Sequence, residues 1–170
     1  MRQLYIRQKV FKILDHYAVT DAAGVPVYQV DQEFRFFGHT VHVTTPAGQP
    51  LFTINREIFT LLPRFVVDFA NGRSISIRSR FTLIRRHIDI DPEDLGLELR
   101  GDFFSLNFSL YQKGNLVGSI HKAWPTLSDQ YELVIHDESM ELLFVAVVIA
   151  LDRLLDEARN QAHSASSSNT

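Results

Sequence analysis

Basic side chains set two apart on an alternating run are the part of this chain best suited to chemistry. From Ser74 to Arg80, Ile75 and Ile77 take one face of an extended segment, which leaves Ser74, Ser76, Arg78 and Arg80 on the other. Arg56 and Lys122 stand at the matching place in two other segments, each two residues past an isoleucine, Ile54 and Ile120. If folding gathers these positions, Arg56, Arg78, Arg80 and Lys122 would hold phosphate oxygens through guanidinium forks and an ammonium, and the ligand such a set suits is a phospholipid headgroup. The plainer alternative is outward charge that keeps a β-protein soluble and discourages edge pairing. Arg85 and Arg86 add charge nearby and are open to both readings.

Other chemistry finds less support. The run Asp89-Ile-Asp91-Pro-Glu93-Asp94 alternates carboxylates, but a calcium-binding EF-hand loop needs glycine at its sixth position and glutamate at its twelfth, where this chain has Asp94 and Arg100. A solvated turn is the better reading, and no metal site is expected. His39 and His42 are three apart, on one side of a helix but on opposite faces of a strand, and Thr40 to Thr45 reads as a strand. His87, His121 and His136 are isolated along the chain. No nucleophile elbow, Walker loop, dinucleotide fingerprint or zinc-protease motif occurs, so neither a catalytic residue nor a cofactor is expected. Cysteine is absent, which removes disulfides, thiol nucleophiles and thiolate ligands. A formal net charge of -3 offers no global field for nucleic acid, which is not expected as a partner.

A repeat positions these residues. Gly24, Gly48, Gly72 and Gly114 each precede an alternating apolar run ending at Val30, Ile54, Ile77 and Ile120. Four residues past those ends come Phe34, Ile58, Phe81 and Trp124, and the pairs Val41/Val43, Phe65/Val67, Ile88/Ile90 and Tyr131/Leu133 follow with a strand's period of two. Each unit is a turn, a strand, a connection and a second strand. Asn71-Gly72 is the clearest hairpin turn. With an N-terminal strand and two more within Leu95 to Leu110, the count is ten to twelve short antiparallel strands, more than an open twisted sheet usually carries.

The last unit departs from the pattern. After Asp137, a helix cap, every residue from Leu142 to Leu151 is apolar, so a helix of about 138–158 is greasy around its whole circumference. Ten residues rise about 15 Å, half the thickness of a bilayer core, so protein must enclose it. A closed barrel with this helix on its axis fills the one and walls the other. Arg153 and Arg159 would favour the helix C-terminus, and Ala146 and Ala150 would let one wall approach. Residues 160–170, polar and serine-rich, are expected to be a disordered tail beyond one domain of residues 1–159.

The segments Arg7-Gln-Lys-Val-Phe-Lys-Ile-Leu-Asp, Asp21-Ala-Ala-Gly-Val-Pro-Val-Tyr, Leu61-Leu-Pro-Arg-Phe, Gly101-Asp-Phe-Phe-Ser-Leu and Glu141-Leu-Leu-Phe-Val-Ala-Val-Val-Ile-Ala-Leu-Asp resemble the LURP-one-related family in order and spacing, over Leu4 to Leu155. The resemblance implies a tubby-like fold, also similar to that of phospholipid scramblases: a twelve-stranded antiparallel barrel around a hydrophobic C-terminal helix. Tubby domains bind phosphoinositides through basic surface residues, and scramblases are associated with calcium and lipid movement. This chain lacks the scramblase pattern's proline-rich N-terminal region, cysteine cluster and calcium loop. The expectation is therefore a mainly β, non-enzymatic module that contacts anionic phospholipid headgroups at a membrane surface. The alternative is a soluble protein-interaction or stress-associated domain with no lipid contact. The N-terminus has no signal-peptide run and no segment is long enough to span a bilayer, so a cytoplasmic setting is expected.

Overall fold

Alternation is the rule from one end of the chain to the other. The computed structural model describes the protein except residues 8–15, 35–38, 58–63, 82–85, 92–94, 103–104, 123–129 and 167–170, together with the side chains of residues 7, 34, 79–81, 86–87, 156 and 158–166. Twelve strands follow one another: β1 (Arg2–Arg7), β2 (His16–Asp21), β3 (Pro26–Phe34), β4 (His39–Thr44), β5 (Pro50–Arg56), β6 (Arg64–Phe69), β7 (Ser74–Phe81), β8 (Arg86–Asp91), β9 (Leu97–Asp102), β10 (Asn107–Gln112), β11 (Asn115–Lys122) and β12 (Gln130–Ile135). One turn of 3-10 helix, Glu138–Met140, leads into helix α1, Glu141–Ser166. The sheet order is β8-β7-β6-β5-β4-β3-β2-β1-β12-β11-β10-β9, with every neighbouring pair antiparallel.

Period-two burial makes one face the core. Val41 and Val43, Phe65 and Val67, Ile88 and Ile90, and Tyr131 and Leu133 all point inward, as the repeat predicts. Of the four bulky positions that follow the repeats, Ile58 and Trp124 and the side chains of Phe34 and Phe81 lie outside the described residues. At Asn71-Gly72 the turn demands a left-handed backbone, φ +83 at Gly72, which an L side chain rarely adopts.

The strands wrap α1. Phe144 to Leu151 are fully buried, and with Leu143, Leu154 and Leu155 they form one core with the inward wall residues. The helix enters at the end where β12 finishes and leaves at the opposite end, as its contacts show: Glu141 meets Arg2 and Tyr28 near the starts of β1 and β3, whereas Arg153 meets Gln32 and Glu157 meets Arg56 near the ends of β3 and β5. The wall is nearly closed. Among the described residues no backbone ladder joins β8 to β9, the two ends of the sheet order.

Three expectations about the helix need correction. The α-helix begins at Glu141, because Asp137 caps the 3-10 turn by accepting from Ser139 N. It continues to Ser166, so most of the expected 160–170 tail is helical, extended by the good helix formers Gln161, Ala162 and Ala165. Arg153 consequently sits mid-helix, buried, rather than at the C-terminus.

Candidate functional site

Four basic residues suggested a phosphate cradle, and the wall separates them. Arg56 shares the inward parity of Phe52 and Ile54, and its Nε donates to Glu157 Oε2 at 2.7 Å, fastening the helix to β5. Burial pushes the Glu157 carboxyl above its ordinary pKa, and Arg56 and then Arg153 pull the other way. Arg78 is on the outer face, between Asp89 at 3.5 Å and Asp91 at 3.3 Å on β8. Arg80 follows on β7 opposite His87, and its side chain lies outside the described residues. Lys122 ends β11, exposed at the helix-exit end. The β11 strand is six places from β5 in the sheet order, half-way round the nearly closed wall, so Arg56 and Lys122 stand on opposite sides and the four do not form one patch.

The wall also forms an open groove of about 310 Å³ lined by Glu57, Arg64, Val66, Ser74, Ile75, Ser76 and Asp91. Arg64 reaches Glu57 at 3.3 Å and donates from Nη2 to Ser76 Oγ at 3.1 Å. Two guanidinium groups here face the carboxylates of Glu57, Asp89 and Asp91, so negative charge prevails and an anion gains little. Arg64 was not legible as a partner of Arg78, because only the β6–β7 register sets them opposite each other.

Inside, at the exit end, lies a polar layer that sequence reading did not anticipate. Arg153 donates from Nη1 to Gln32 Oε1 at 2.9 Å and from Nη2 to Asp152 Oδ2 at 2.7 Å, with all three residues buried. His39, on the inward parity of Val41, has its pKa lowered to about 4, first by burial and then by Arg153. Tyr17 is raised well above the phenol range, by burial first and then by Asp152. Through Gln32, Arg153 ties α1 to β3. His39 and His42 do face opposite ways, and His42 stands 3.6 Å from Glu33 on the outside.

A close acid-base pair also exists. His121 Nε2 lies 3.1 Å from Glu132 Oε2, and Tyr5 OH donates to Glu132 Oε1 at 3.2 Å, a ladder across β11, β12 and β1. It stands on the convex outer wall, with the His121 side chain 43% and that of Glu132 16% exposed. Among the described residues no group of three or more histidine, aspartate or glutamate side chains is arranged to hold a metal ion. Likewise among those residues, no helix is long and apolar enough to cross a membrane.

A sequential antiparallel barrel of twelve strands around one apolar C-terminal helix defines the tubby-like class of β-fold. Consistent with this, the chain superposes on the X-ray structure of an Arabidopsis thaliana protein, AT5G01750, with a TM-score of 0.62 over 90% of each chain at 12% identity, which shows a shared fold. Residues 2–152 match the LURP-one-related family model, and the chain belongs to that family. It is also 26% identical, over 155 residues, to the uncharacterised protein YxjI of Bacillus subtilis (strain 168), covering 91% of this chain and 94% of that one.

Proposed function

We propose that the domain is a non-enzymatic module that meets anionic phospholipid headgroups with the helix-exit end of its barrel. One observation carries this reading: among the described residues the strand termini at the exit end include Arg7, Arg56, Arg64, Arg86 and Lys122 against Asp102, whereas those at the entry end include Arg2 against Asp21 and Asp91. The helix-entry end carries short, small or polar links such as Ala22-Ala-Gly-Val25, Thr45-Pro-Ala-Gly-Gln49 and His136-Asp-Glu-Ser-Met140. Between the strand ends at the exit side the sequence reads Gln8-Lys-Val-Phe-Lys-Ile-Leu-Asp15, Arg35-Phe-Phe-Gly38 and Thr82-Leu-Ile-Arg85, all outside the described residues. Aromatic and aliphatic residues mixed with lysine and arginine are the composition that a membrane interface selects.

Of the four headgroup candidates, Arg56, Arg80 and Lys122 belong near this end by their places in their strands; Arg56 pairs with Glu157, and Arg78 with Asp89 and Asp91 on the outer wall. Absence of catalysis is supported by an interior filled by α1. Co-sedimentation with phosphatidylcholine vesicles, with and without phosphatidylserine or phosphoinositide, tests the reading. Binding that requires anionic lipid, weakens with salt and falls severalfold in Lys122→Glu/Arg80→Glu but not in Arg78→Ala agrees with it. No binding at low salt removes it, in favour of a protein-interaction domain.

A further inference from the structure

We propose that Asn71 is a site of spontaneous modification, its side-chain amide converted to a carboxylate at a rate set by opening of the β6–β7 turn. Asn71 and Gly72 are both exposed at the tip of this hairpin. The glycine matters because the reaction runs through its main-chain nitrogen. Once that nitrogen loses its proton to water it can attack Cγ of Asn71. The N–Cγ bond forms, the Cγ–Nδ2 bond breaks, and Nδ2 takes up a proton and leaves as ammonia. The product is a five-membered succinimide ring. Water then opens the ring at Cγ to give aspartate, or at the main-chain carbonyl to give isoaspartate, with no change of oxidation state. A side chain on the following residue crowds such a ring, and every other asparagine of the chain is followed by a residue that has one. Gly72 has none, and no other atom lies within 4 Å of where its Cβ would stand.

Sequence alone marks this dipeptide as labile, and the folded turn withholds both reacting groups. Gly72 N–H donates to the carbonyl oxygen of Phe69 at 2.9 Å, so the nucleophile is engaged. Asn71 Oδ1 accepts from Arg73 N at 3.0 Å, which ties the amide that must be attacked to the next residue along. The tip is anchored as well: Phe69 N donates to Arg73 O at 2.9 Å, Ala70 N to Leu51 O on β5 at 2.8 Å, and Ser74 Oγ to Asp68 Oδ1 at 2.9 Å. Attack therefore waits for the turn to open, the same event that frees the Gly72 amide for hydrogen exchange with solvent. Ammonia is lost to solution, so converted protein accumulates as a record of that opening. Isoaspartate also inserts an extra main-chain carbon, which the left-handed turn at Gly72 and the Asp68–Ser74 register beneath it do not accommodate.

The test incubates the full chain at mildly alkaline pH, native and unfolded in guanidinium chloride. Brief tryptic cleavage after Arg64 and Arg73 releases residues 65–73, whose mass reports the conversion of amide to acid, and electron-transfer fragmentation tells isoaspartate from aspartate. Conversion at Asn71 is expected to give both products in the unfolded chain and to be about tenfold or more slower in the native protein. The Gly72 amide, followed by NMR, is expected to be protected from exchange by a similar factor. Equal conversion in the two states, no conversion in the unfolded chain, or aspartate without isoaspartate overturns the proposal. So does a native Gly72 amide that exchanges at the unfolded rate while conversion stays slow.

Discussion

Adding one methyl group at Gly118 tests how tightly the wall grips the helix. Gly118 lies in β11 between Leu110 of β10 and Ile135 of β12, and its backbone is not in the left-handed region that favours glycine. On backbone grounds alone, alanine would therefore be tolerated and would stabilise the fold by about 0.4–1 kcal/mol by restricting the unfolded chain. The structure predicts the opposite sign. A Cβ at this position would stand 2.7 and 2.8 Å from Cδ1 and Cε1 of Phe144 and 3.0 Å from the carbonyl oxygen of Val134. Phe144 is fully buried and packs edge-on against Phe108 at 6.5 Å between ring centroids, so its ring has little room to withdraw. Overpacking of this kind costs about 1–3 kcal/mol. At roughly 2–4 °C per kcal/mol for a domain of this size, the melting temperature should fall by several degrees. Urea denaturation of Gly118→Ala, Phe144→Leu and the double variant separates the causes. The double variant should be more stable than the sum of the single effects by about 1 kcal/mol, because the methyl enters space the ring has left. A neutral or stabilising Gly118→Ala, or strict additivity with Phe144→Leu, would refute the packing of α1 against β11.

Two further predictions concern the buried polar layer. Arg153→Met leaves Asp152 buried without its cation and should cost about 3–5 kcal/mol, whereas Asp152→Leu/Arg153→Met should recover most of that loss, as measured by chemical denaturation. For His39 the folded pKa is depressed to about 4 from 6.5, so as pH falls through that window the unfolded chain takes up a proton that the native state refuses. Stability should decline between about pH 6.5 and 4 on this account. Glu157, whose pKa is raised, acts in the opposite direction, so the measured quantity is the difference between the wild type and His39→Gln, which should lose the histidine part of the slope.

Periodicity made the wall and its filling legible. Strict alternation with glycine turns specified the strands of the four repeats, and the unbroken apolar run from Leu142 to Leu151 demanded enclosure before any coordinates were known. The helix end was not legible, because Gln161, Ala162 and Ala165 are as compatible with a polar tail as with a continuing helix. The candidate site suffered from a loss of dimension. Sequence offsets align Arg56 with Lys122, yet their strands are six apart in the sheet order, and offsets carry no information about position around a barrel. Nor did the pattern reveal that Arg56 meets a carboxylate on the helix, since Glu157 lies 101 residues away. Arg153 was expected to favour the helix C-terminus, and only the fold brings it into the interior beside Gln32, 121 residues away.

Enclosure of the apolar helix by its own chain is the claim on which the rest depends, and the absence of cysteine allows a clean probe of it. Single cysteines replacing Val148 or Ile149, both 0% exposed, can be titrated with a water-soluble disulfide reagent under native conditions. The account predicts that each thiol reacts only as fast as the whole domain unfolds, with full reactivity in denaturant. Modification of the native protein at the rate of a free thiol would place these side chains outside the barrel and contradict it.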